Sequence, residues 1–315
     1  MKLLLRVLGV VLLSCAIFVM AGILATWAPD RSVQQLSARW APAPSQFLPV
    51  LGMQVHLRDE GPRGDPLPIV LLHGTSASLH TWDAWTQALT HQRRVIRFDL
   101  PAFGLTGPHP DNDYSIAAYV RFVVAVLDQM GVQQFVLAGN SLGGQIAWGT
   151  AVAHPQRVKK LVLIDSAGYP LQSTSVPLGF TIARTPGLRV VMEYVLPRGV
   201  VQSSVRNVYG DPAKVTADLV DRYYELTLRA GNRQALAYRM DQLHSGDEAA
   251  LKGLKVPTLV MWGAKDRLIP PDTAQRFVAD IAGAQMVIFD DLGHVPHEED
   301  GPKTVEAFKL FMSAP

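Results

Sequence analysis

Three residues far apart in the chain are of the types that acyl-transfer chemistry needs. Ser141 lies in "GNSLGG", Asp266 in "WGAKDRLIP" and His294 in "DDLGHVPHEE". A serine hydroxyl is a weak nucleophile until a base takes its proton, and an imidazole base needs a third group to hold its ring. Ser141 is fenced by Gly139 and Gly143 between an apolar run, "FVLA", and a helix-like run that Pro155 stops. A strand therefore becomes a helix at the serine. The bare G-x-S-x-G spacing is a weak signal, and its position carries the meaning. A turn that sharp strains the serine backbone, while the glycines let strand and helix approach. It exposes Oγ and aims a helix N-terminus at the atom under attack.

His294 is the expected base, because it sits in the loop after the last strand-like run, "QMVIF", and before the last helix. His297 is its nearest competitor, on a turn constrained by Pro296. A zinc site from His294, His297 and Glu298 is disfavoured, since Pro296 breaks the helical face it would need. Asp266, after the strand-like "TLVMW", is the expected orienting acid. Asp165, at the end of "LVLID", is its rival; Asp290 and Asp291 are too close to His294 along the chain. Asp99 in "RFDLPAFG" is expected to organise its own turn. Charge developing on the reacting carbonyl needs preset N–H donors. Leu142 N–H at the helix start and Thr75 N–H in "HGTSAS" are the candidates for this oxyanion hole, with Gly74 letting the backbone turn.

These residues need a scaffold. "MQVHL", "PIVLL", "RVIRF", "FVLAG", "LVLID", "TLVMW" and "QMVIF" read as strands, with helices starting near Leu79, Ser115, Leu142, Asp272 and Pro302. Alternation of this kind implies an α/β fold with a mostly parallel sheet covered on both faces. About 90 residues separate the strand ending at Asp165 from the one starting at Pro257, far more than the roughly 30 of a βαβ crossover. Residues 169–253 are therefore read as a helical lid over the sheet edge, with residues 50–168 and 254–315 forming the core. An independent helical bundle is the alternative. Within the insertion Asp211-Pro212 reads as a helix start. Leu219, Tyr223, Leu226 and Ala230 share one face before a stop at Gly231, and a second helix from Asn232 aligns Leu236, Met240 and Leu243. Phe180, Met192, Tyr194, Tyr209, Tyr223, Tyr224, Tyr238 and Met240 could roof Ser141 with apolar surface.

The ends and the composition bound the function. Over 315 residues the formal net charge is only +2 and no long single-sign run occurs, so nucleic acid is not an expected partner. Nucleotide-binding glycine patterns are absent, and no cofactor or metal is expected. The insertion balances nine Lys or Arg against eight Asp or Glu between Tyr169 and Ala250, and no protein partner is indicated. Cys15, the single cysteine, falls in the N-terminal apolar segment and leaves the folded domain without a disulfide. From Val7 to Trp27 there are 21 residues without a charge, about 31 Å as a helix. Residues 1–28 are read as a membrane anchor, with residues 29–49 as a linker. The alternative is a signal peptide cleaved near "VMA" (Val19 to Ala21) or "TWA" (Thr26 to Ala28). Lys2 and Arg6 favour an extracytoplasmic domain, although Arg31 and Arg39 weaken the asymmetry.

Over residues 50–315 the chain resembles the α/β-hydrolase superfamily, on "HGTSAS", "FDLPAFGLT", "GNSLGG", "WGAKDRLIP" and "GHVPHEE". The order Ser141, Asp266, His294 matches that layout. The resemblance implies a cofactor-free serine hydrolase with a lid. "GNSLGG" is similar to the nucleophile turn of carbon–carbon hydrolases acting on ring-fission products. Those enzymes usually carry an "HGxGPG" loop and a tryptophan after the catalytic histidine, where Thr75-Ser76-Ala77 and Val295 stand here. The expectation is thus a membrane-anchored esterase acting on small apolar esters. Carbon–carbon hydrolysis is the second reading, and a non-catalytic receptor on the same fold is the third.

Overall fold

The computed structural model describes residues 2–170, 172–242 and 248–313. One sheet of eight strands organises the molecule: β1 (Gln46–Val50), β2 (Met53–Glu60), β3 (Ile69–Leu72), β4 (Val95–Phe98), β5 (Phe135–Asn140), β6 (Val158–Ile164), β7 (Thr258–Gly263) and β8 (Gln285–Phe289). Their spatial order is β1-β2-β4-β3-β5-β6-β7-β8. β1 and β2 join antiparallel, and β4, β3, β5, β6, β7 and β8 run parallel.

Helices cover the sheet and extend from it. In chain order they are α1 (Lys2–Thr26), α2 (Val33–Trp40), α3 (Asp83–Leu89), α4 (Ile116–Gln129) and α5 (Leu142–Ala153). Between β6 and β7 lie α6 (Leu178–Arg184), α7 (Pro186–Met192), α8 (Arg198–Val208), α9 (Ala217–Thr227) and α10 (Asn232–Asp241). α11 (Asp272–Asp280), α12 (Pro296–Glu299) and α13 (Gly301–Ser313) complete the chain.

The central strands carry continuous apolar runs, such as Ile69–Leu72 and Leu161–Ile164, because both sheet faces are covered. Alternate residues serve different cores: Val70 and Leu72 join Phe122, Ile146 and Phe277 on one face, while Ile69 and Leu71 join Trp85, Phe308 and Phe311 on the other. This period of two fixes strand register, and with it the ends of β5, β7 and β8 from which the candidate residues project.

The seven strand-like runs and five helix starts of the core are all present. Two other expectations need correction. Residues 29–49 are not an open linker. Ser32 and Gln35 form a reciprocal capping box that starts α2, Leu36 is buried, and β1 pairs with β2 as an edge strand that tolerates Pro49. Asp211-Pro212 starts only a short turn, Pro212–Lys214; the helix proper begins after the Thr216 cap and ends at Thr227, so Ala230 lies beyond it. α6, α7 and α8 had no clear sequence signature. Leu243 lies outside the described residues.

α1 is exposed along its length; its 23-residue stretch Leu4–Thr26 is long and apolar enough to cross a membrane. The chain leaving it docks on the segments that join the inserted helices, between α7 and α8 and between α9 and α10. Leu196 N–H donates to Thr26 O at 3.1 Å, Ala28 N–H to Tyr194 O at 2.9 Å, Arg31 N–H to Leu228 O at 2.7 Å and Ala230 N–H to Arg31 O at 2.9 Å. Trp27 stacks on Tyr194, and Asp30 pairs with Arg233.

Candidate active site

Ser141 stands at the junction of β5 and α5 with φ 55° and ψ −116°, in a region that L-residues seldom occupy. Its neighbours explain how this geometry is held. A Cβ on Gly139 would lie 2.1 Å from Gly143 O, and one on Gly143 would lie 2.2 Å from Leu72 O. Both contacts are with backbone, so no side-chain rotation relieves them. Ser141 N–H donates to Ile164 O, and Ala167 N–H donates to Ser141 O, which ties the turn to β6.

His294 follows β8 on a loop that several groups fix. Its Nδ1–H donates to Asp266 Oδ2 at 2.6 Å, leaving Nε2 as the free ring nitrogen. Asp266 is buried, and its Oδ1 accepts Leu268 N–H at 2.8 Å and Ile269 N–H at 3.0 Å, so three donors hold the carboxylate. His294 N–H donates to Val208 O at 2.8 Å, and Asn140 Nδ2 donates to His294 O at 2.9 Å. The buried Glu299 accepts N–H bonds from Gly293, Gly210 and Asp211, stapling the histidine loop to the end of α8. Asn140 and Glu299 were not singled out from sequence. Asn140 has a signal in hindsight, as a polar residue ending a buried strand beside the serine.

The rivals are placed elsewhere. His297 is buried against Trp82 at 4.1 Å between ring centroids, with Nε2 at 3.2 Å from Thr81 Oγ1. Burial pushes its pKa well below the usual imidazole value, and His294 pushes in the same direction. Glu298 is committed to Arg222 and Tyr223. His294, His297 and Glu298 therefore do not converge as a metal site.

Asp165 is near the pair without holding the ring. It, Asp266 and His294 offer atoms within 4.8 Å of one another, but its Oδ1 accepts Gly263 N–H at 3.0 Å. Burial, and then the Asp266 carboxylate, raise its pKa well above the usual aspartate value. Its buried Oδ2 finds no donor among the described residues. A protonated Asp165 resolves both observations, since the acid can then donate to Asp266.

Thr75 and Leu142, the expected oxyanion donors, line a common cavity with Ser141. Leu142 is the first residue of α5, whose leading N–H groups have no partner inside the helix. Thr75 follows Gly74, where a Cβ would sit 2.9 Å from Asn140 Oδ1. His73 steadies this loop: Nδ1–H donates to Gly74 O at 2.7 Å and Nε2 accepts Leu100 N–H at 2.9 Å. Among the described residues, no backbone acceptor takes the N–H of Thr75 or Leu142. Asp99 organises its turn, accepting from His56, Leu79 and Leu105. Burial raises its pKa, but the neighbouring imidazoles, His56 first, bring it below the usual range.

A cavity of about 100 Å³ opens over Ser141 and His294. Phe180, Met192, Val201, Val205 and Tyr223 of the inserted helices roof it, with Thr75 and Val295 below. Tyr194 faces Trp27 instead, and Tyr209 packs with Val205 inside the insertion.

The similarities to other proteins follow the same architecture. A 2-hydroxymuconate semialdehyde hydrolase of Pseudomonas sp. (strain CF600) is 32% identical over 255 residues, spanning 77% of this chain and 84% of the relative. The solved meta-cleavage product hydrolase of Pseudomonas fluorescens IP01 shares the fold, with TM-score 0.74, 23% identity and coverage of 86% and 97%. A solved membrane phospholipase A has TM-score 0.73 at 25% identity, covering 99% of this chain and 98% of its own. The relatives of stated reaction favour carbon–carbon hydrolysis, the second reading above, over ester cleavage; the chemistry common to both is hydrolysis. Residues 68–301 match the model of the alpha/beta hydrolase fold, and the chain belongs to that family.

Proposed function

We propose that this chain is a membrane-anchored serine hydrolase of carboxylic esters with short to medium acyl chains. In the proposed cycle His294 Nε2 takes the Ser141 proton as Oγ attacks the ester carbonyl. Thr75 and Leu142 N–H groups stabilise the tetrahedral oxyanion, and Asp266 keeps the imidazolium in place. The alkoxide leaves with the proton from His294, and a water deprotonated by the same ring releases the acid. No cofactor enters the reaction.

The observation that carries the ester reading is the cavity wall. Among the described residues, no Lys, Arg, Asp or Glu lines the main chamber beside Ser141 and His294, which suits an uncharged acyl chain. Each buried methylene is worth about 0.8 kcal/mol, so four more carbons could favour a longer ester by up to about 3 kcal/mol. The roof of inserted helices sets an upper limit. The full-length likeness to a phospholipase A, which includes α1, supports both the ester and the membrane assignments. Carbon–carbon hydrolysis is kept as the second reading because of the 32% identical relative. Thr75-Ser76-Ala77 and Val295, which line the cavity here, weigh against it.

A purified-protein screen decides between them. Esters of roughly four to eight acyl carbons should outrank acetate in kcat/KM, with long triglycerides poor and a ring-fission dienoate poorer still. Efficient dienoate cleavage with negligible ester turnover would replace the ester reading with the carbon–carbon one. Binding without turnover of either would favour a receptor.

A further inference from the structure

A second chamber, of about 60 Å³, also reaches Ser141. Thr75 and Leu142 contribute to its wall, as do Arg184 of α6 and Arg239 of α10. Arg239 is unusual for its surroundings. It is only 2% exposed, and its Nε and Nη1 have no hydrogen-bond partner among the described residues. The other buried arginines each reach a carboxylate: Arg58 meets Asp83, Arg97 meets Glu60, and Arg233 meets Asp30. Arg239 reaches none among the described residues. The Tyr119 hydroxyl lies against it, but a neutral phenol does not balance a cation, and Arg184 adds repulsion. Burial pushes the guanidinium pKa down for the same reason. An uncompensated buried cation is costly unless a ligand supplies the missing charge.

We infer that Arg239 receives a carboxylate carried by the substrate, so that the bound molecule spans both chambers with its reacting carbonyl at Ser141. The apolar limb occupies the larger cavity and the acidic limb the smaller one, which is too small for a bulky headgroup. The inference rests on hydrolysis at Ser141 but not on which bond is cleaved, since an acid-bearing ester and a ring-fission dienoate share the carboxylate.

The test uses full-length protein and esters matched in size. Ethyl butyrate is neutral, butyryl glycolate carries the acid on the alcohol limb, and monoethyl glutarate carries it on the acyl limb. Wild-type protein should cleave one of the two acidic esters with kcat/KM about 10-fold or more above ethyl butyrate, the advantage of a charge-assisted bond. Arg239→Met should remove that advantage, mainly through KM, and leave ethyl butyrate within about 3-fold; Arg239→Lys should restore part of it. An unchanged acidic-to-neutral ratio in Arg239→Met overturns the inference. Calorimetric binding of butyryl glycolate and monoethyl glutarate to Ser141→Ala separates this outcome from failure of the ester reading. Binding of either without wild-type ester turnover keeps the subsite and discards the ester; binding of neither discards the subsite. If Arg239→Met does not fold, glutarate as a competitive inhibitor of wild-type and Arg239→Lys protein gives the answer, and absence of inhibition in wild type overturns the inference.

Discussion

Ser141 Oγ and the Asp266–His294 pair stand on three different strand ends, so single substitutions can separate their roles. Ser141→Ala should lower turnover by roughly 10⁴-fold or more with the fold intact, because loss of the nucleophile disables the set as a unit. Near-normal rates would remove Ser141 from the mechanism. Asp266→Asn should cost about 10⁴-fold, since an amide can present its NH₂ to Nδ1 and reverse the tautomer. Asp165→Asn should stay within about 10-fold, because an amide resembles the protonated acid in its capacity to donate. The reverse ranking would move the orienting role to Asp165. Stability adds an independent check. Asp165 is protonated in the folded chain above the pH at which the unfolded chain releases the proton. Its contribution is fully present below the ordinary aspartate value of 3.8 and is lost as pH rises through its raised native value. Asp165→Asn should therefore gain melting temperature relative to wild type at pH 8 compared with pH 4; a pH-independent difference would mean that Asp165 is ionised.

At the scale of elements, the crossing of α5 over β3 is a tight constraint on the serine turn. A methyl group on Gly143 meets the Leu72 carbonyl, and α5 can retreat only by moving Ser141 with it. Gly143→Ala should cost about 2–4 kcal/mol in denaturant unfolding and lower kcat even where folded protein is recovered. Full activity with unchanged stability would show that the turn has slack. The same elements show what was legible in the chain. β3, β5, β6 and β7 read clearly because parallel strands buried on both faces become continuous apolar runs, and the glycines around Ser141 punctuate one of them. α2 was missed because it buries one leucine and is otherwise held by its capping box and by Arg39 and Trp40 on Glu225, which produce no periodic apolar pattern. α6 and α7 were missed for a different reason. Their apolar residues divide between the cavity, as with Phe180 and Met192, and the outer surface, as with Leu188 and Val190, so no single stripe forms. Ser141, Asp266 and His294 could be read from loops after strands. Glu299 could not, because its role depends on meeting Gly210 and Asp211 across the fold.

For the whole molecule, the exposed stretch Leu4–Thr26 at one end is long and apolar enough to cross a membrane. Full-length protein should fractionate with membranes and resist high-salt washing, whereas a shortened soluble form from the intact gene would favour a cleaved leader. The segment after that helix sharpens the experiment. Thr26, Ala28 and Arg31 make four backbone hydrogen bonds to the segments joining the inserted helices, worth together on the order of 4 kcal/mol. Removal of residues 2–25 should give soluble active enzyme of nearly unchanged melting temperature. Removal of residues 2–31 should lower it by several degrees and weaken discrimination among acyl lengths, because α7 to α10 lose a fastening strip. Equal melting temperatures for the two truncations would mean that the strip is ornamental.

That strip also changes what proteolytic maturation would mean for this chain. A peptidase acting after Ala21 would release a free enzyme with every one of those contacts preserved. One acting after Ala28 would strip away Thr26 and Trp27, leaving Tyr194 without its stacking partner and the Leu196 N–H without its acceptor. The two mature forms would differ by only seven residues at the N-terminus, yet one would keep a tethered roof and the other a loosened one. Mass spectrometry of the mature terminus would thus report on substrate selection as well as on cellular address.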